Sequence, residues 1–235
     1  MTDPLPMQLP LKDLARPDSG HAHVWIMRLQ NLPIMEAEVP PERKARLAQR
    51  RMGQKFMLRL LLGAYLGRPG REVRLQIGRF GKPQLPAELA ESGLHFNLSH
   101  AGDWLAIALA SDRTVGIDTE HVRRSLRWQK LARRYFSAAE ADWLCAMDEP
   151  LGAHQFLKHW TAREALIKGA GRTIAGNISR VVLSTELQPG IISLPGDWLD
   201  PSDWQLMALD LQRDLVTHLA SQKPLKSVRC FALDL

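Results

Sequence analysis

The sequence predicts an α+β protein built from two comparable halves, and three observations carry that reading. Apolar, β-rich runs occur at His23–Leu29, Trp104–Ala110 and Val115–Glu120. Long stretches with apolar residues at helical spacing lie on either side, over Glu42–Leu66 and over 153–170. The resulting order of strand, helix, strands, helices, strands divides the chain near residue 115, into 1–115 and 116–235.

Taken in order, residues 1–20 hold four prolines and little periodicity, and read as a surface lead-in to the first strand. In the helical stretch, Leu47, Phe56, Met57, Leu60, Leu61, Ala64 and Tyr65 form the apolar stripe, and arginines and lysines crowd the remainder. Gly53 predicts a break there. Val73–Gly78 reads as a strand before a Gly81-Lys82-Pro83 turn, and Ser111-Asp112-Arg113 as a hairpin turn joining Trp104–Ala110 to Val115–Glu120. Residues 126–146 and 153–170 read as helices, and Arg180–Ser184, Trp204–Leu211 and Thr217–Ser221 as closing strands.

With 235 residues, 45% hydrophobic and 24% charged, the chain can bury a core without staples, which excludes a largely disordered protein. Cys145 and Cys230 have no metal-ligand or disulfide-framework spacing, so a reducing compartment is expected. No secretion signal is visible at the N-terminus and no apolar run approaches the ~20 residues of a membrane span. The expected address is the cytoplasm, with no membrane partner. The excess of 31 Lys and Arg over 25 Asp and Glu suits nucleic acid, phosphorylated small molecules or an acidic protein.

In Gly116-Ile-Asp-Thr-Glu120 the carboxylates of Asp118 and Glu120 lie two residues apart, so an extended strand places both on one face. Two like charges held so close repel each other unless a cation relieves them, and Mg²⁺ accepts one or two carboxylates together with substrate phosphates. An Asp-x-Glu alone is more often a solvated strand edge. In Trp160-Thr-Ala-Arg-Glu-Ala-Leu-Ile-Lys168, residues Trp160, Glu164 and Lys168 share one helical stripe, a pattern that also fits an ordinary Glu–Lys pair.

Together, in this order and about 40 residues apart, these segments resemble the paired signature of the Sfp-type 4′-phosphopantetheinyl transferases, G-[IV]-D-x-E followed by W-x-x-K-E-[AS]-x-x-K. Upstream, Phe96-Asn-Leu-Ser-His100, Gly81-Lys-Pro83 and Arg59-Leu-Leu-Leu-Gly63 resemble further segments of that family, so the likeness covers about residues 40–170. Two positions depart from it. Arg163 stands where the family has lysine, which keeps the charge but replaces a compact ammonium with a planar fork, and Gly171-Arg-Thr173 replaces G-x-G.

The resemblance implies a pseudo-two-fold fold of two similar α/β halves with the active site between them. Residues 1–115 would supply the coenzyme A nucleotide contacts, and 116–235 the magnesium site and catalytic helix. It implies transfer of 4′-phosphopantetheine from coenzyme A to a serine of an apo acyl or peptidyl carrier protein, with Mg²⁺ on Asp118, Glu120 and Glu164 and release of 3′,5′-ADP. Glu164, or a water it orients, would accept the serine proton, and Lys168 would sit on the pyrophosphate. Lys82, Ser99 and His100 would contact the nucleotide and its phosphates, and Arg43, Arg46 and Arg59 the 3′-phosphate. Arg123, Arg124, Arg127, Lys130, Arg133 and Arg134 would face an acidic carrier, and a monomer is expected.

Two other classes fit parts of the sequence. A nucleic-acid-binding module would explain a pI near 9.6 but not the ordered carboxylates. A magnesium-dependent nuclease or phosphatase would use the carboxylates, but leaves the remaining segments unexplained.

Overall fold

A computed structural model describes residues 3–32, 43–123 and 126–235, without the side chains of residues 31 and 43–46. Pro40-Pro41 and Arg124 lie outside the described residues. In chain order the elements are β1 (Leu5–Gln8), β2 (His21–Arg28), α1 (Arg43–Leu66), β3 (Gln76–Ile77), β4 (Pro83–Gln84), α2 (Ala87–Ala90), β5 (Leu94–Ala101), β6 (Trp104–Ser111) and β7 (Val115–His121). They continue with α3 (Trp128–Tyr135), α4 (Ala138–Cys145), α5 (Leu151–Gly169), β8 (Val182–Leu183), β9 (Ile191–Ser193), β10 (Trp204–Leu209), β11 (Leu215–Gln222) and β12 (Ser227–Asp234).

The α+β architecture repeats one plan twice. In the first half, β2 is followed by α1 and then by the β5–β6 hairpin, in the spatial order β2-β6-β5; in the second, β7 is followed by α5 and the β10–β11 hairpin, in the order β7-β11-β10. Every pairing within these two triplets is antiparallel. The last strand then returns: β12 lies parallel between β1 and β2 and enlarges the first sheet to five strands.

Strand alternation explains the layering. Trp25, Met27, Leu105, Ile107 and Leu109 point to the face covered by Met57, Leu58, Leu61 and Leu62 of α1. Ala22, Val24, Ile26, Ala106, Ala108 and Ala110 point to the other face and pack on Val115, Ile117 and Leu219 of the second sheet. The small alanines allow the sheets to approach. Ala165 and Leu166 of α5 pack against Ala220 and Trp204 on the far side of the second sheet.

Gly116 is required where α5 crosses β7, because a Cβ there would overlap the Ala165 carbonyl oxygen and the Gly169 nitrogen. Gly116→Ala is therefore expected to push α5 away from β7 and destabilise the protein by about 1–3 kcal/mol or more, the usual cost of overpacking. A denaturant titration matching wild type would contradict this.

Several expectations are corrected. The helix does not break at Gly53: α1 runs through it, since packing of the following turns outweighs the roughly 1 kcal/mol cost of one glycine. Leu47 and Phe56 lie outside its buried stripe, at 44% and 45% exposure. Val73–Gly78 contains only the two-residue β3, paired with β4 around the positive-φ Gly81. The predicted hairpin across 111–113 is absent, because both edges of β6 are taken by β2 and β5, and β7 pairs with β11 instead. Residues 126–146 form two helices, divided where Ser137 caps α4 by accepting from the Glu140 N–H. Within 1–20, β1 is part of the first sheet, so that stretch is more than a lead-in.

Candidate active site

The two sheets meet edge to edge where β5 runs beside β7, and the site grows from that seam. Side chains of β5 replace a backbone ladder: the Ile117 N–H donates to Asn97 Oδ1 at 3.2 Å and the Thr119 N–H to Ser99 Oγ at 3.3 Å. Because Ile117 faces the first sheet, alternation turns Gly116, Asp118 and Glu120 toward α5. The Glu164–Lys168 stripe of α5 meets them there.

Asp118 is 2% exposed, and its Oδ1 accepts from Ser99 Oγ at 2.7 Å and from Lys168 Nζ at 2.6 Å. Lys168 uses its other two protons on Ser99 Oγ at 3.0 Å and the Ile117 carbonyl at 3.3 Å. Lys82 reaches across from the turn after β3 and donates to the Lys168 carbonyl at 2.8 Å. Burial, and then Lys168, hold the Lys82 ammonium down to about 8. Glu164 is also buried, and its carboxyl is pushed up to about 8 by burial first, then by Asp118 and more weakly by Glu120, against the opposing pull of Lys168.

Ser99, Asp118, Glu164, Lys168 and Lys82 thus form one electrostatic unit. A 450 Å³ cavity opens beside it, lined by Lys82, Phe96, Asn97, Val115, Lys168 and Gly171. His100 and Glu120 line a different cavity of 500 Å³ at the other end of the seam, with Arg50, Arg51 and Gln54 of α1. Arg59 stands apart from both. It donates from Nε to the Gly70 carbonyl at 3.1 Å and from Nη2 to the Arg71 carbonyl, clamping the loop after α1. Arg43 and Arg46 are on the first turn of α1, and their side chains lie outside the described ones.

Sequence reasoning did not single out Asn97, Arg51 or Gln54. The signal for the last two is present, since Leu47, Arg50, Arg51 and Gln54 follow the i, i+3, i+4, i+7 stripe of a helix. Asn97 lies inside the Phe96–His100 segment already noted, but its pairing with Ile117 has no local signal, because the two are brought close only by the seam.

Arg163 does not face this site. It is fully buried on another side of α5, ion-paired to Glu140, with its guanidinium 3.7 Å from the Phe136 ring centroid and bonds of 3.1 Å to the Val181 and His159 carbonyls. The planar fork is needed for that set. Arg163→Ala leaves Glu140 charged and buried, and is expected to cost about 3–5 kcal/mol of stability. A double Arg163→Leu, Glu140→Leu variant should recover much of the loss in a denaturation midpoint. An additive double variant would contradict the pairing.

Among the described residues no group of three or more His, Cys, Asp or Glu side chains is gathered as a ready cation cage. Magnesium does not need one, since it takes one or two carboxylates and keeps water or phosphate oxygens for the rest. The residues fit that ion: Asp118 Oδ2 is buried without a hydrogen-bond partner, and Glu164 feels the negative charge of both Asp118 and Glu120. Arg127, Lys130, Arg133 and Arg134 are exposed around α3, as is Arg123 before it, while Trp128 and Phe136 are buried in the core.

The model of the 4′-phosphopantetheinyl transferase superfamily matches residues 114–220, the stretch from β7 to β11. The 4′-phosphopantetheinyl transferase HetI of Nostoc sp. is 33% identical over 142 residues, 60% of this chain and 60% of that protein. The transferase psf-1 of Bacillus pumilus is 29% identical over 167 residues, 69% of this chain and 68% of that protein. The crystal structure of Thermotoga maritima holo-[acyl-carrier-protein] synthase aligns at a TM-score of 0.36 and 16% identity, over 47% of this chain and 63% of that one. The match to HetI, first among these, spans less than two thirds of its length.

Proposed function

We propose that the chain is a 4′-phosphopantetheinyl transferase, the reading that the match over residues 114–220 and the likeness to HetI support, and that it moves 4′-phosphopantetheine from coenzyme A to a serine of an apo acyl or peptidyl carrier protein, releasing 3′,5′-ADP. The observation that carries this reading is the Ser99–Asp118–Lys168 network, electrostatically coupled to the buried Glu164, beside a cavity of nucleotide-binding size. The carrier serine oxygen forms a bond to the β-phosphorus of coenzyme A, the bond to the bridging oxygen of the pyrophosphate breaks, and the serine proton leaves to a base. Such a transfer depends on positioning and on neutralising phosphate charge, and needs no covalent enzyme nucleophile.

Asp118, Glu120 and Glu164 would hold Mg²⁺, which when bound supplies charge neutralisation at the pyrophosphate. Glu164 suits the proton acceptor, because its burial beside Asp118 gives the carboxylate an affinity for protons near neutral pH. Lys168, anchored on Asp118 and Ser99, is placed to share its charge with the departing phosphate. Lys82 adds a second cation to the same cavity, close enough to Lys168 to be held down by it. His100, with Arg50 and Arg51, suits a second phosphate, and Arg43 and Arg46, on the first turn of the same helix, are proposed for the 3′-phosphate, whereas Arg59 is engaged by the Gly70 and Arg71 carbonyls.

The exposed basic face of α3 supports an acidic carrier. The likeness to psf-1 across both halves supports the Sfp type; the contacts of Lys82 with Lys168 and of Ser99 with Asp118 within one chain suit a monomer, and the cytoplasm is the address proposed with it. No helix among the described residues is long and apolar enough to cross a membrane. Intact-mass spectrometry of an apo carrier incubated with the chain and coenzyme A tests the proposal.

A further inference from the structure

The first sheet carries another cavity, of about 590 Å³, on the face it shares with α1. It lies over β1, β12 and β2, at the far end of the sheet from β5. From β12 to β5 is three strand spacings, about 14 Å. The registers Leu5↔Phe231, Arg229↔His23 and Ser227↔His21 set its floor in rows. Tyr65, in the last turn of α1, forms one wall.

A polar chain is buried in this floor. Trp25 Nε1 donates to the Tyr65 hydroxyl oxygen at 2.9 Å, and the hydroxyl lies 2.7 Å from His23 Nδ1. Burial raises the Tyr65 pKa, so the hydroxyl keeps its proton, and the available acceptor for it is His23 Nδ1. Burial, and then Arg229, lower His23 to about 4, so the ring is neutral and carries its own proton on Nε2. Three aromatic side chains are thereby arranged to present one N–H donor at the edge of an otherwise apolar core.

The rim complements that donor. Arg229 is exposed over Phe231, Arg16 is held by the Ser92 carbonyl, and His21 bonds Ser227, against one acid, Asp18, among the lining residues. Leu5, Met7 and Leu14 supply apolar walls.

We propose that this cavity binds a small amphiphilic anion, an apolar body with one carboxylate or phosphate, the acid on Arg229 and the His23 Nε2–H and the body against Phe231, Leu5 and Met7. The site does not depend on the transferase reading. The test titrates phenylacetate and phenyl phosphate separately into the full chain and follows the His23 imidazole by long-range ¹H–¹⁵N NMR, its signal assigned with His23→Gln. The free protein should show the neutral Nε2–H form, and at least one probe should shift it saturably; which probe does so tells carboxylate from phosphate.

Arg229→Glu, on an exposed side chain, should weaken that binding about tenfold or more, and Lys82→Ala, in the other cavity, should leave it unchanged. A His23 signal unmoved by either probe, binding indifferent to Arg229→Glu, or binding lost in Lys82→Ala would each overturn the proposal.

Discussion

Lys168→Ala is expected to lower the transfer rate by about 10²-fold or more, the range seen when a preorganised electrostatic group is removed from a site of developing charge. The structure adds a second consequence. Lys168 neutralises Asp118 and ties Ser99 to it, so its loss leaves the buried Asp118 carboxylate without its cation. Lys168→Ala should therefore lose stability as well, by roughly 1–3 kcal/mol for an unpaired charged hydrogen-bonding group. Lys168→Arg should restore part of the stability but less of the rate, because a planar fork cannot direct protons to Asp118, Ser99 and the Ile117 carbonyl together. A wild-type transfer rate in Lys168→Ala would remove the residue from the site.

Asp118→Asn and Glu164→Gln carry the other large effect: each is expected to abolish transfer at any magnesium concentration that saturates the wild-type protein. The structure buries both, Asp118 at 2% and Glu164 at 9%, so isosteric amides are the informative variants, and alanine would confound activity with packing. Glu164→Gln should also stabilise the metal-free protein, because it removes a carboxyl that burial and Asp118 already disfavour as an anion. Melting curves recorded in chelator would show this as a higher midpoint. Near-normal transfer by either variant would remove the carboxylates from the reaction.

What the sequence disclosed followed from short-range periodicity. A two-residue period turned Asp118 and Glu120 to one face, and a four-residue period stacked Glu164 and Lys168. Arg163, one residue along α5 from Glu164, is turned about 100° round the helix and away from that stripe, yet its pairing with Glu140 of α4 depends on where α4 folds back. Contacts at the seam were not legible. Ser99 meets Asp118 only because β5 and β7 lie side by side at the edges of different sheets, a relation with no local pattern. The parallel insertion of β12 beside β2 joins residues about 200 positions apart, and nothing in Ser227–Asp234 specifies that partner. Arg59 shows the converse: a family-like segment identified it, but its guanidinium is directed by the carbonyls of Gly70 and Arg71.

Metal-dependent transfer to a carrier is measured most directly by the intact mass of apo acyl and peptidyl carrier proteins after incubation with the chain, coenzyme A and Mg²⁺. The prediction is a gain of one phosphopantetheine on the carrier, lost in EDTA, restored by excess Mg²⁺ and absent with Glu164→Gln. An unchanged carrier mass across both carrier classes, from protein that is folded and binds coenzyme A, would contradict it.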